Sequence, residues 1–189
     1  MFEFHINYLL SIFKNYIKEI KVQDNYLKIK IKDFNKLFFL INFLKLHSFL
    51  RYKLLTDIAC VDFINKNKRF ELNYMLLSID YNSRLIISVN FEEKNVISSL
   101  INIYSGSNWM EREVFDMYGI FFSNHYDLRR ILTDYGFEGY PFRKDFPLNG
   151  YLEIRYDEDK QFLLYEPIEL MQNMRFFNFI NPFNKKYVV

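Results

Sequence analysis

Glu111 and Glu113, two acids two positions apart, and His125, two residues before Asp127, have the types and spacing that suit acid–base chemistry. A carboxylate beside an imidazole can orient it as a general base. Neither pair develops into a site on the sequence alone. Residues two apart on a helix point to different sides, so Glu111 and Glu113 do not converge and read as first-turn acids favoured by the helix dipole. No Ser or Cys nucleophile stands in a recognisable elbow near His125, and a lone histidine there reads as a structural donor. His5 and His47 are far off in sequence, which argues against a metal site. The single cysteine, Cys60, makes no internal disulfide, zinc site or iron–sulfur ligand set, and its apolar strand context reads as packing.

Arg129 and Arg130 could hold phosphate or an anionic lipid, but the acids around them balance the charge, which favours an ion-pair network. Asp127 reads as the cap of a short helix over the following residues. The GFEG run at 136–139 has the spacing of a phosphate-clamping loop, yet Phe137 and Glu138 are wrong for its centre, so a tight turn is expected. There is no GxGxxG, Walker A or CxxC motif. Two functional readings therefore stay open from the residues: a free-standing hydrolase on His125 and Asp127, and an RNA-binding module on Arg129 and Arg130.

The elements that would position these residues follow from periodicity. Residues 4–20 predict an amphipathic helix through Leu9, Ile12, Phe13, Tyr16, Ile17 and Ile20. Leu27, Ile29 and Ile31 alternate with Lys28, Lys30 and Lys32, a strand with one wet face. Asp33 or Asn35 can cap a second helix to about Leu46. A buried strand over 54–63 and strands over 70–79 and 84–91, joined by polar turns at 65–68 and 80–83, predict an antiparallel meander. A short helix is expected over 96–104. Asn108 with Glu111 reads as a capping box for a helix over 109–118, with Met110, Val114, Met117 and Tyr118 as its apolar stripe and Gly119 as its stop. A short strand and a helical turn around 127–132 come next, and a hairpin over 151–166 after that.

All five glycines lie between Gly106 and Gly150, so unusual backbone geometry is concentrated there. Residues 133–150 show no periodicity and interleave Tyr135, Phe137, Tyr140, Phe142 and Phe146 with charges. So long a structureless loop is rare in a compact domain, and its aromatics must lie across this domain or another protein. The apolar stretch from 171 to 189 reads as a further arm. At 189 residues and half hydrophobic, the chain can bury one core, and a net charge of +2 gives no bulk argument for nucleic acid. The 22 Phe and 15 Tyr beside one alanine, Ala59, follow A/T-rich codons rather than function. The N-terminus lacks a basic leader, and the chain's longest apolar run, Leu37 to Ile41, is far short of the roughly 20 residues that span a bilayer. Those features point to an organellar gene and a peripheral or soluble product.

NWMEREVFDMYGIFF (108–122), HYDLRRILTDYGFEGYPFRKDFPL (125–148) and GYLEIRYD (150–157) closely resemble the NuoC-type, or thirty-kilodalton, subunit family of respiratory complex I, NADH:ubiquinone oxidoreductase. LTDIACVDF and RFELNYMLLS upstream and YEPIELMQNMRFFNF downstream extend the resemblance to roughly residues 54–183. Tyr126 stands where that family usually has Pro, and Tyr140 where it often has His. The resemblance implies a hydrophilic subunit of the peripheral arm, on the matrix side of the mitochondrial inner membrane. It would bind no FMN, iron–sulfur cluster or ubiquinone itself, although the assembled complex carries all three. Its chief neighbour would be the NuoD-type subunit, which forms the quinone pocket with the NuoB-type subunit; NuoI- and NuoG-type subunits would also be near. The expected fold is α+β: a mixed sheet with an antiparallel meander, helices mainly on one face, and an extended C-terminal arm. Residues 1–125 would form the domain, and 126–189 would pack on neighbouring subunits. Desolvated arginines and aromatics are the usual interface anchors. Arg112, Arg129, Arg130, Arg143 and Lys144 are accordingly expected as ion-pair anchors, and Phe137, Tyr140, Phe142 and Phe146 as buried plugs, with Gly136 and Gly139 setting the path.

Overall fold

A computed structural model describes residues 2–23, 26–172 and 174–175, with residues 2–7 and 23 described by backbone alone. The expected arm beyond Arg175 lies outside the described residues. The chain forms two compact units, Met1–Phe146 and Pro147–Val189.

The first unit is built on a five-stranded sheet of order β1-β2-β5-β4-β3. Its strands are β1 (Ile17–Gln23), β2 (Tyr26–Ile31), β3 (Leu54–Asp62), β4 (Phe70–Ser78) and β5 (Ser83–Phe91). β2 runs parallel to β5, and every other neighbouring pair is antiparallel, so the sheet is mixed and the β3–β4–β5 meander is as expected. Register carries the alternation of β2 across the whole sheet. Ile29 faces Ile87, Ile87 faces Tyr74, and Tyr74 faces Ile58, which places one apolar row on one face. The other face carries Lys28 and Lys30 with Glu71, and Ser88 hydrogen-bonded to Asn73 at 2.6 Å.

Helices α1 (Phe2–Phe13), α2 (Leu37–Leu46) and α3 (Ser107–Tyr118) close the apolar face. Leu9 and Phe13 of α1, Leu40, Ile41 and Leu44 of α2 and Val114 of α3 join the strands in one buried cluster. Asp33 caps the short 3-10 turn Phe34–Lys36 that leads into α2, accepting from the Asn35 amide at 3.1 Å.

Four local expectations fail, each for a tertiary reason. The first helix stops at Phe13 and residues 17–23 form β1, because β2 has a free edge whose backbone groups need partners. β3 is an edge strand, with Leu54 and Val61 exposed, rather than fully buried. Residues 96–104 hold no helix; Ile97–Ser98 (β6) pairs in parallel with Phe122–Ser123 (β7). No helical turn forms over 127–132, because α3 takes up those amides, as described below. In the second unit the hairpin is as expected: β8 (Leu152–Asp157) pairs antiparallel with β9 (Phe162–Pro167).

Candidate functional site

The C-terminal half of α3 gathers much of the strap that runs from His125 to Phe146. Gly119 ends α3 in the left-handed region at φ 73°, its amide bonded to Phe115 O. A Cβ there would stand 2.6 Å from the Tyr140 ring and 2.7 Å from Arg143 Nη2. The glycine therefore serves twice: it reverses the chain and leaves room for the returning strap.

Asp116, fully buried on α3, gathers the first part of the strap. Its Oδ2 accepts the backbone amides of Ile131, Leu132 and Thr133 at 3.0, 2.7 and 2.9 Å. Its Oδ1 accepts from the Thr133 hydroxyl and from Arg130 Nη1, the latter at 3.1 Å. Burial alone would raise this carboxyl, but the Thr133 hydroxyl and the three amides outweigh it and hold it below the usual range. Arg130 also reaches Gly139 O at 3.1 and 3.2 Å and lies over the Tyr140 ring at 5.1 Å.

The second part of the strap is held by the end of α3 and by the sheet together. Phe142 N donates to Met117 O at 3.1 Å, and Arg143 Nε donates to Tyr118 O at 2.6 Å. The Arg143 guanidinium pairs with Glu93 and sits between the Tyr140 and Phe70 rings, 4.5 and 5.5 Å from their centroids. Asp62, at the end of β3, takes both arms of Arg69 at 2.8 Å and the Lys144 amide at 2.9 Å. Hydrogen bonding from Arg69 is the main cause that depresses its carboxyl. Arg69 also pairs with Asp145, and Phe146 meets Phe137 at a tilt close to Gly139, whose φ of 109° no side chain would accept easily.

Each expected anchor therefore has a definite place. Arg112 donates to Arg129 O at 3.0 Å and lies over Trp109. Arg130, Arg143, Phe137, Tyr140 and Phe146 meet partners within this chain. The Lys144 backbone, not its ammonium, makes the bond to Asp62. Arg129, exposed, pairs with Asp127, and Phe142 is 54% exposed with its edge on Tyr118. The first unit accordingly runs to Phe146, further than a boundary after His125.

The acid–base pairs resolve differently. Asp127 gives its carboxylate to Arg129 rather than capping a helix or orienting His125. Its amide donates to His125 Nδ1 at 3.1 Å. Glu111 is not a first-turn surface acid and makes no capping box; α3 starts at Ser107 after Gly106, without a side-chain cap. Its carboxylate is buried and accepts from Ser99 Oγ at 2.5 Å and Leu100 N at 2.7 Å, with His125 Nε2 4.0 Å away. Burial is the main cause that raises it. The amide of Leu100 and the hydroxyl of Ser99 would otherwise be buried without acceptors, which is why Glu111 turns inward.

Residues 27–152 match the family described as the respiratory-chain NADH dehydrogenase 30 Kd subunit. The chain belongs to this family. It is 46% identical to NADH-ubiquinone oxidoreductase subunit 9 of Acanthamoeba castellanii over 96% of this chain and 93% of that protein. It is 50% identical to NADH dehydrogenase [ubiquinone] iron-sulfur protein 3 of Solanum tuberosum over 79% of each. Among solved structures, a chain of the membrane-bound sulfane sulfur reductase, an archaeal respiratory membrane complex, shares the fold. Its TM-score is 0.66 at 24% identity, covering 77% of this chain and 85% of that one. A trypsin-resistant fragment of Nqo5 does so at TM-score 0.54 and 21% identity, covering 66% and 98%.

The name of the Solanum tuberosum relative speaks of an iron–sulfur protein, and the candidate donors in this chain are few. A cluster takes four ligands, thiolates or two thiolates with two imidazoles. Here the sequence has one cysteine, and burial pushes the Cys60 thiol up, against the thiolate form. His47 Nε2 is hydrogen-bonded to Tyr8 at 2.6 Å, and His125 belongs to the Glu111 cluster. Among the described residues no group of three His, Cys, Asp or Glu could hold a metal.

Asp62, Arg69 and Glu93 were not among the expected anchors, and neither was Asp116. One signal could have found it: an acid in the last turn of a helix opposes the macrodipole, so it needs another reason to be there.

Proposed function

We propose that this family member is a non-redox subunit of the peripheral, matrix-side arm of complex I at the mitochondrial inner membrane, encoded in the organelle. It holds the quinone-reducing module in place while electrons pass from NADH to ubiquinone, and FMN, iron–sulfur clusters and ubiquinone sit on other subunits. Its chief neighbour is the NuoD-type subunit, with NuoB-, NuoI- and NuoG-type subunits close by. No described helix is long and apolar enough to cross a membrane.

One observation carries the reading. The β8–β9 register puts Leu152, Ile154, Tyr156, Leu163, Tyr165 and Pro167 on one face of a two-stranded ribbon. Leu152, Ile154, Tyr156 and Leu163 are each at least half exposed, at 56, 53, 55 and 60%. The opposite face is mixed: Glu153, Arg155, Asp157 and Glu166, with Arg155 paired to Glu166 at 2.8 Å, share it with Leu164 and Phe162. An isolated hairpin is marginal in water, and a continuous apolar face marks an interaction surface. The ribbon thus supports a role as a clamp that finishes its packing on another protein. In the first unit, Trp109, Tyr126, Leu132, Tyr135 and Phe142 are exposed large side chains around the strap. They, with Arg129, are the surface on which the expected interface residues would act. Arg112, Arg130 and Arg143 would serve it by holding the strap rigid.

Ile154→Ser with Leu163→Ser tests this. Each buried aliphatic contributes about 1.5–3 kcal/mol, so the pair should strip the chain from the large assembly on native gels while the sheet keeps its hydrogen-exchange protection. Unimpaired incorporation would remove the hairpin face from the argument.

A further inference from the structure

A cleft of about 520 Å³ opens at one end of the five-stranded sheet, lined by Lys18, Lys30, Lys32, Lys66, Lys68 and Asn90, with Ile31. Lys18 comes from β1, Lys30 from β2, Asn90 from β5, and Lys66 and Lys68 from the turn before β4. No acid lines it. The nearest carboxylate on the wet face, Glu71, is already shared by Lys28 at 3.0 Å and Lys30 at 3.3 Å. Lys66 lies over the Phe63 ring at 3.6 Å. Lys18, Lys32 and Lys68 are exposed and have no acidic partner among the described residues. In a chain whose formal charge is only +2, this is a concentrated, uncompensated positive site.

The shape selects the ligand. From β1 to β4 the sheet order takes three steps, β1 to β2, β2 to β5 and β5 to β4. At about 4.8 Å per step these lysines spread over roughly 14 Å, which an extended chain covers in about four residues. One compact anion reaches only part of that span. No ring lines the cleft on which a base could stack, which disfavours a nucleic acid strand. Lysines without arginine offer point charges that need no fixed bidentate geometry, as suits carboxylates on a flexible backbone.

We propose that this cleft docks an extended acidic segment, with carboxylates spread over about four residues, from a neighbouring subunit. The proposal rests on the chain working inside a multisubunit assembly. Charge complementarity is what the segment supplies: it neutralises lysines that repel one another when left alone.

The test uses the intact complex from its native membrane. A native gel first establishes that the chain is in the large assembly; its absence there defeats the assembly reading itself, before the cleft is probed. Zero-length carbodiimide coupling then joins lysine amines to carboxylates already in contact. The expected product links Lys32, Lys66 or Lys68 to Asp or Glu residues of one segment in one other subunit. Lys32→Gln with Lys66→Gln and Lys68→Gln should abolish that product and weaken retention of the segment about tenfold at low salt. Coupling only to this chain's own acids overturns the proposal. So does amine acetylation of these lysines in the assembly as fast as in the denatured complex. Protection without any carboxylate crosslink, or protection removed by ribonuclease, also overturns it, in favour of a phosphate-bearing ligand.

Discussion

Replacing Asp116 by alanine should free the strap and leave the sheet intact. Asp116 accepts the amides of Ile131, Leu132 and Thr133, the Thr133 hydroxyl and one arm of Arg130, and its side chain is fully buried. Breaking a buried pair by removing one partner costs about 3–5 kcal/mol, because the remaining charge stays unpaired. The strap can instead lift into water, so the cost should appear as local opening rather than global unfolding. At 1.4 kcal/mol per tenfold change, amide exchange at 131–133, Phe142 and Phe146 should quicken by about two to three and a half orders of magnitude. The amides of β4 and β5 should hardly change. Asp116→Asn keeps one acceptor oxygen and should fall between the two. The pH dependence has a fixed sign. A carboxyl held below its unfolded value, about 3.9, contributes stability above that pH and loses it as pH falls through its folded value. Wild type and Asp116→Asn should therefore converge in acid. Hydrogen exchange followed by mass spectrometry reads all of this. Equal loss of protection in β4 and the strap, or no change at 131–133, would refute the assignment of Asp116 as the strap's anchor.

Gly119→Ala forces a side chain to φ 73° and pushes a methyl into Tyr140 and Arg143. The left-handed conformation alone costs about 1–2 kcal/mol, so the melting temperature should drop by several degrees and the emission of Trp109, the only tryptophan, should shift. An unchanged spectrum and melt would mean the strap does not need that space. Glu111→Gln should act in the opposite direction with pH. A carboxyl raised above its unfolded value, about 4.3, loses stability as pH rises through its folded value. The amide variant keeps an acceptor for Ser99 and Leu100, so it should exceed wild type in urea stability at pH 8 and lose that advantage in acid. A constant difference across pH would show that Glu111 carries no buried charge.

The meander, β2, the hairpin and the stop of α3 at Gly119 were all legible, because each depends on neighbours within a few residues. Lys28, Ile29, Lys30 and Ile31 can only be a strand with one wet face. IKEIKVQ (17–23) was not legible, since its apolar positions suit either period and the free edge of β2 decided between them. Glu111 and Asp116 look in sequence like ordinary surface acids of a helix. Their partners lie eleven to seventeen positions away, and only folding brings those groups within 3 Å.

From the order of residues alone came the family, the α+β pattern and the location of special backbone between Gly106 and Gly150. Those properties are written in local spacing, which the chain carries folded or not. Whether the aromatics of 133–146 turn outward or inward was decided by the tertiary structure. Arg130 and Arg143 could have served any carboxylate, but the fold gives Asp116 to the one and Tyr118 O with Glu93 to the other. Which acceptor a charged group meets depends on groups far apart in the chain, and no spacing rule in one dimension encodes that distance.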